Sequence, residues 1–428
     1  MIIAAILGPE RPRATQLPGI LADEGFRLFF PLAALYAAVF PLFWVLAMGF
    51  DLPLARSVPP SLWHAHEMLI GAFGAALIGF LTTAAPEWTD TEPLRGRPLW
   101  LLAALWALGR MIGFLGWDGM SAMGALADLA WMGGLIVYML RLSWAKRSDR
   151  LLTFVCWLAL LAVCTAATRY HFLVDDPAAA QAWVHLVGFA FLGLLGLALA
   201  RITVPVTNLV LDPSESSSRF RPHPGRMNLA PGMVLIAMGG QIAGQMGNLS
   251  PAVNGYLLLA AGAAFMDRVA EAFIGREAFR AEVLLLAGSG AFAGAGLLMT
   301  GAAALGAPWS EVTGLHAAFM GGLGLGVYAV FCIAGLMHTN RPLGLSRPVR
   351  LGALVLALAV VMRLAPDLGV VIPGPLHGLA SLAWAGGYLI WLSVFWRYVS
   401  GVSVPQAVTP IVPQAPRVAP LPNVAAAE

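Results

Sequence analysis

Histidine carries most of the chemistry this chain can offer. Eight are present, and six of them (His64, His66, His171, His185, His316 and His377) sit near the same ends of long apolar runs. Neutral imidazole is the commonest protein ligand for transition metals, haem iron and copper included. A histidine at membrane depth is costly and usually faces the bundle interior or a cavity. A single interfacial imidazole can stay hydrated without any function, so the weight falls on the shared layer. Several imidazoles at one depth point to one or more metal sites there. His338 and His223 fall on the opposite side.

The densest stretch is Trp63-His-Ala-His-Glu-Met68. Residues two apart on a helix point about 200° apart. His64 and His66 therefore serve two adjacent sites, or one is a ligand and the other its support. The face with His64, Met68, Gly71 and Ala75 is small, and the face with His66, Ile70, Phe73 and Leu77 is bulky. Glu67 either orients an imidazole or caps the helix N-terminus. Arg110, Asp128, Asp267, Arg268, Glu271, Gln241, Gln245 and Arg363 are polar residues inside apolar runs, where pairing across helices is the ordinary outcome. Arg110 and Arg363 lie towards the histidine layer, where a guanidinium also suits a haem propionate. One internal echo is present: His64-Ala-x-x-Met68 with Gly74 matches His316-Ala-x-x-Met320 with Gly326.

The chain that must position these residues is 428 residues long, 59% hydrophobic and only 11% charged. Soluble domains carry about 25% charged residues, and disordered chains are polar and poor in aromatics. Both classes are excluded, which leaves an all-α polytopic membrane bundle. A crossing helix needs roughly 20 apolar residues. Twelve such runs occur, at about 26–48, 64–85, 98–116, 120–141, 151–173, 179–206, 229–247, 252–274, 281–305, 313–337, 349–366 and 375–399. The domain reading is a cytoplasmic segment (1–25), a twelve-helix transmembrane domain (26–399) and a disordered cytoplasmic tail rich in Pro, Val and Ala (400–428). With the N-terminus inside, the inner segments hold Arg11, Arg13, Arg27, Arg95, Arg97, Arg141, Lys146, Arg147 and Arg150, then Arg219, Arg221, Arg226, Arg276, Arg280, Arg341, Arg347, Arg350 and Arg397. The outer loops hold little beyond Arg56 and Arg169. The positive-inside rule then sets both termini in the cytoplasm. Cys156, Cys164 and Cys332 lie in apolar runs without CxxC spacing and report nothing about redox compartment. No basic stripe supports nucleic-acid binding, so membrane lipid is the expected surrounding.

Trp63-His-Ala-His-Glu-Met68, followed by Gly79-Phe-Leu-Thr-Thr-Ala-Ala-Pro-Glu-Trp-Thr89, resembles the signature of the NnrS family. Leu315-His-Ala317 with His338-Thr-Asn-Arg341 is a second match, and Arg201 to Thr207 a looser third. The resemblance implies a membrane protein containing haem and copper, linked to nitric oxide, denitrification and nitrosative stress. The placement of His64 or His66, His316 and His185 on spans 2, 10 and 6 is also similar to the layout of haem-copper oxidases. The span 7 histidine pair of those enzymes is missing, so a binuclear reducing centre is not supported. Under this reading His66 and His316 are axial ligands of a b-type haem near the periplasmic face, with Arg110 also contacting the cofactor. His64, His185 and His377 are copper or supporting ligands, and His171 a further one. Nitric oxide and an unidentified electron donor are the implied partners. Two alternatives stand beside it: a secondary transporter without metal, and a membrane redox enzyme that removes nitric oxide.

Overall fold

The computed structural model describes residues 17–50, 58–115, 121–214, 224–370 and 374–401. The expectations for segment 1–16, for Arg56, Arg219, Arg221 and His223, and for the tail beyond 401 lie outside the described residues. Within them the chain is almost wholly helical, and no strand forms. A hydrocarbon environment offers no partner to a free backbone N–H or C=O, so an apolar run must satisfy its own polar groups as a helix.

A short helix, α1 (Leu17–Leu21), precedes α2 (Gly25–Phe50), α3 (Pro60–Thr89), α4 (Arg97–Leu115), α5 (Ser121–Lys146), α6 (Leu152–Leu173) and α7 (Pro177–Leu211). Then come α8 (Pro224–Gln245), α9 (Pro251–Val269), α10 (Ala281–Ala304), α11 (Glu311–Met337), α12 (Arg347–Leu364) and α13 (Leu376–Val399). Each long helix overlies one of the apolar runs. Among the described residues nine are long and apolar enough to cross a membrane. Of the others, α9 and α12 span 19 and 18 residues and carry charges such as Asp267 and Arg350. The chain is an all-α, multi-pass membrane bundle. Helix ends run past the apolar runs where polar residues still favour the helix. For example, α3 starts at Pro60 rather than at His64, because proline suits the first helical turn.

Consecutive helices pack side by side, and α13 closes the bundle against α2. Three helices are inner. The apolar windows of α3 and α7 are 83% buried and that of α11 is 72%, against 33–56% for the other candidate spans. Three helices lie between α3 and α7 and three between α7 and α11, so in a bundle whose consecutive helices alternate in direction these three run the same way. Their histidines, His64 and His66 on α3, His185 on α7 and His316 on α11, therefore gather at one end of the bundle.

Two of the inner helices depart from regular geometry. Residues Glu67–Phe73 of α3 and Ala317–Gly324 of α11 are π-helical. The first begins one residue after His66 and the second one residue after His316. A π turn loosens the helical ladder and leaves carbonyls open to outside donors, and such turns are frequent at functional sites. In α3, the Gly71 carbonyl accepts from Trp106 Nε1 at 2.9 Å and the Ile70 carbonyl from Arg110 Nη1 at 3.4 Å. In α11, the Gly322 carbonyl accepts from Ser289 Oγ at 2.7 Å and the Gly324 carbonyl from Tyr388 OH at 3.0 Å. The two echoing sequence segments thus share a local distortion, each stabilised by side chains of flanking helices.

Candidate functional site

Five helices contribute to a charge network buried at the histidine end. Glu67 (α3) and Asp128 (α5) are 1% and 0% exposed, depths at which a lone carboxylate is not tolerated. Arg110 (α4) places Nε 2.6 Å from Glu67 Oε2 and donates from Nη2 to both Asp128 oxygens, at 3.0 and 3.1 Å. Arg169 (α6) donates from Nε to Asp128 Oδ2 at 3.1 Å. Tyr36 (α2) donates its hydroxyl to Glu67 Oε2. Two carboxylates and two guanidiniums make the cluster neutral, and each charge has a partner.

His66 completes the network. Its Nδ1–H donates to Glu67 Oε1 at 3.0 Å. The lone pair on Nε2 is left buried without a hydrogen-bond partner, 3.7 Å from Asp128. Glu67 therefore orients an imidazole and does not cap the helix. With α3 starting at Pro60, Glu67 lies two turns inside, where no free N–H groups remain to be capped. Arg110, expected at a cofactor, is bound to Glu67, Asp128 and the Ile70 carbonyl. Arg169 is not an outer-loop charge: it lies in α6 at 6% exposure.

His64 points away from this network, as the 200° separation on a regular helix requires. Its ring stacks on Phe40 and sits 4.6 Å from the Trp44 ring, both on α2. Its Nδ1 is buried and lacks a hydrogen-bond partner. His64 and His316 lie within charge range of each other and of Arg363 on α12. His316 Nδ1–H donates to the Val312 carbonyl at 2.8 Å, which fixes the tautomer and turns Nε2 into a free lone pair. Arg363 is also paired with Asp367, from Nη1 at 2.8 Å.

The other histidines are more scattered. His377 opens α13, is exposed, and lies within charge range of His316. His185 is part-buried two turns into α7. His171 sits 3.4 Å from Asp176 at the end of α6. Among the described residues no group of three or more His, Cys, Asp or Glu is placed to hold a metal ion.

The family model described as NnrS protein matches residues 20–401, nearly the whole chain. The chain belongs to the NnrS family. No curated protein and no solved structure matches it. In this NnrS chain the two sequence motifs meet at the end of the bundle away from the histidine layer. His338, which follows α11, places Nε2 3.5 Å from Glu87 of α3 and Nδ1 3.6 Å from Glu24, just before α2. Burial lowers the His338 pKa, with Glu24 pulling the other way, and burial raises the Glu24 pKa, opposed by His338 and Arg27. Asn340 of the same motif has φ 55°, a left-handed turn that asparagine tolerates. Arg341 caps the Tyr398 ring at 4.1 Å. Arg201, from the looser third match, lies over the Trp88 ring at 5.0 Å.

Tyr36, Trp44, Trp106 and Arg169 are the site residues that sequence reasoning missed. Arg169 had a signal: with Thr165 and Thr168 it makes a polar face inside an apolar helix. The three aromatics had none, since a Tyr or Trp in an apolar run is usually core.

Proposed function

We propose that this protein binds a b-type haem in the bacterial inner membrane and acts in nitric oxide metabolism or the nitrosative stress response. Its histidine end faces the periplasm and both termini the cytoplasm. Family membership supports the link to nitric oxide, and the Arg and Lys asymmetry supports the orientation. The observation that carries the reading is the convergence of His64 and His316 from two inner helices. One ring has a buried nitrogen without a partner and the other a lone pair freed by Val312.

The residues present fit an imidazole-held group between α3 and α11. A haem held by two imidazoles carries electrons, whereas one held by a single imidazole keeps a position open to nitric oxide. Val312 holds the tautomer and plane of His316, while Trp44 and Phe40 clamp the plane of His64. Arg363, within charge range of both rings and paired with Asp367, would supply a cation for a carboxylate substituent. His66 is oriented by Glu67 and supports α3 from the adjacent charge network. Copper, which the family resemblance also implies, finds no set of three donors among the described residues, and no step is assigned to it.

Single alanine variants test this assignment. His64→Ala and His316→Ala should each lower the haem content of the purified protein, read as Soret absorbance per protein. His66→Ala should retain more haem than either. Equal spectra in wild type, His64→Ala and His316→Ala would overturn the pairing. Nitric oxide consumption by the pure protein with a defined electron donor separates a catalyst from a sensor.

A further inference from the structure

The three inner helices do not fill the space between them. A cavity of about 60 Å³ lies among the middle of α3, α7 and α11, several times the roughly 10–15 Å³ that one water requires. All fifteen lining residues are apolar. No lining side chain can offer a water the two to four hydrogen bonds it needs, so the site disfavours water. Its buried end lies beneath the two π segments, whose Phe73 and Leu323 form part of the wall. The lining side chains that are only part-buried, Phe80, Ile202, Val327 and Val330, lie further along the helices, away from the histidine layer. The cavity thus runs from a part-open end in the apolar belt to a closed end at mid-bundle.

Close packing beside the cavity shows that the gap is not general looseness. A Cβ added to Gly326, on the cavity wall, would lie 2.7 Å from both Leu195 Cδ1 and Ser289 Oγ. The two π segments offer a physical cause. Each shifts the side-chain register of its helix partway along, so the faces below them cannot interlock with α7 as the faces of regular helices do.

We propose that this cavity binds a small uncharged apolar molecule of diatomic-gas size, which enters from the hydrocarbon of the membrane. Its walls offer dispersion contacts and no side-chain hydrogen bond, so polar solutes and ions are disfavoured by desolvation. An acyl chain reaching in through the part-open end is the competing occupant, which the xenon experiment distinguishes. The site needs no metal and stands independently of the haem assignment.

Xenon is the probe, since apolar cavities of this kind take it up. Crystals of the full chain pressurised with xenon should show a peak bounded by Leu77, Leu194 and Val327. Ala76→Leu, which fills the space, should abolish that peak while leaving the melting temperature within a few degrees of wild type. Ala198→Leu serves as the second filling variant, and Leu194→Ala, which enlarges the space, should raise xenon occupancy. Absence of xenon, a peak that persists in both filled variants, or an ordered acyl chain in the space would each overturn the proposal. So would a collapse in melting temperature for both filled variants, because it would mean that no space was there to fill.

Discussion

Replacing Asp128 by Asn keeps its shape and removes its charge. Asp128 is fully buried and neutralises two guanidiniums, Arg110 and Arg169, so the variant leaves the cluster with one uncompensated positive charge. Removing one partner of a buried ion pair costs about 3–5 kcal/mol, equivalent to about a 10²- to 10⁴-fold shift in the unfolding equilibrium. Thiol labelling reads this directly. Cys164 and Cys332 are buried, while Cys156 is exposed, so in a Cys156→Ser background dye reaction reports opening of the bundle. Asp128→Asn should react at a markedly lower temperature. Adding Arg169→Gln restores charge balance, with Arg110 facing Glu67, and should recover part of the loss. A single variant as stable as wild type, or a double variant less stable than the sum of both singles, would refute the reasoning.

Other expectations follow from single contacts. Arg27, 1% exposed, donates from Nη1 to the Val399 and Gly401 carbonyls at 2.9 Å each and so caps α13; Arg27→Met should cost about 1.5–3 kcal/mol and speed proteolysis just beyond α13. A Cβ on Gly296 would run into the Ala318 backbone, whereas one on Gly133 meets nothing; Gly296→Val should therefore lower the melting temperature in detergent far more than Gly133→Val. Burial depresses the His338 pKa, so the unfolded chain takes up that proton first, and stability should fall as pH drops below about 6.5. Glu24, with its pKa raised, opposes this trend at lower pH. His338→Gln should flatten the loss of thermal stability between neutral pH and the folded His338 pKa, and an unchanged pH profile would remove His338 as its source.

Most of the helical scaffold was legible because hydrocarbon leaves an apolar run few options. The run at 151–173 became Leu152–Leu173 almost residue for residue. The charges that look misplaced in such runs were equally readable: Arg110 and Asp128 pair, as intramembrane charges of opposite sign must. Less legible was the register of the inner helices. A 3.6-residue period has no room for the π turns after His66 and His316, and these change which side chains face which neighbour. Counting charges by loop also placed Arg169 outside. It lies about one turn from the end of α6 at Leu173, and only the packing of α5 against α6 turns its side chain inward to Asp128. The division of His64 and His66 between two environments did follow from helix geometry alone. Which of them lies near His316 depended on how α2 and α7, which each touch both α3 and α11, set those two helices relative to each other, and no spacing in the sequence carries that.

The claim that matters most is that imidazoles at one end of the inner helices hold an iron-containing group. An optical spectrum of the detergent-extracted wild-type protein, taken with iron and copper analysis on the same sample, addresses it directly. The account predicts a Soret band that shifts on reduction, with iron in fixed ratio to protein. A colourless preparation without iron, from cells able to make and insert haem, would contradict it.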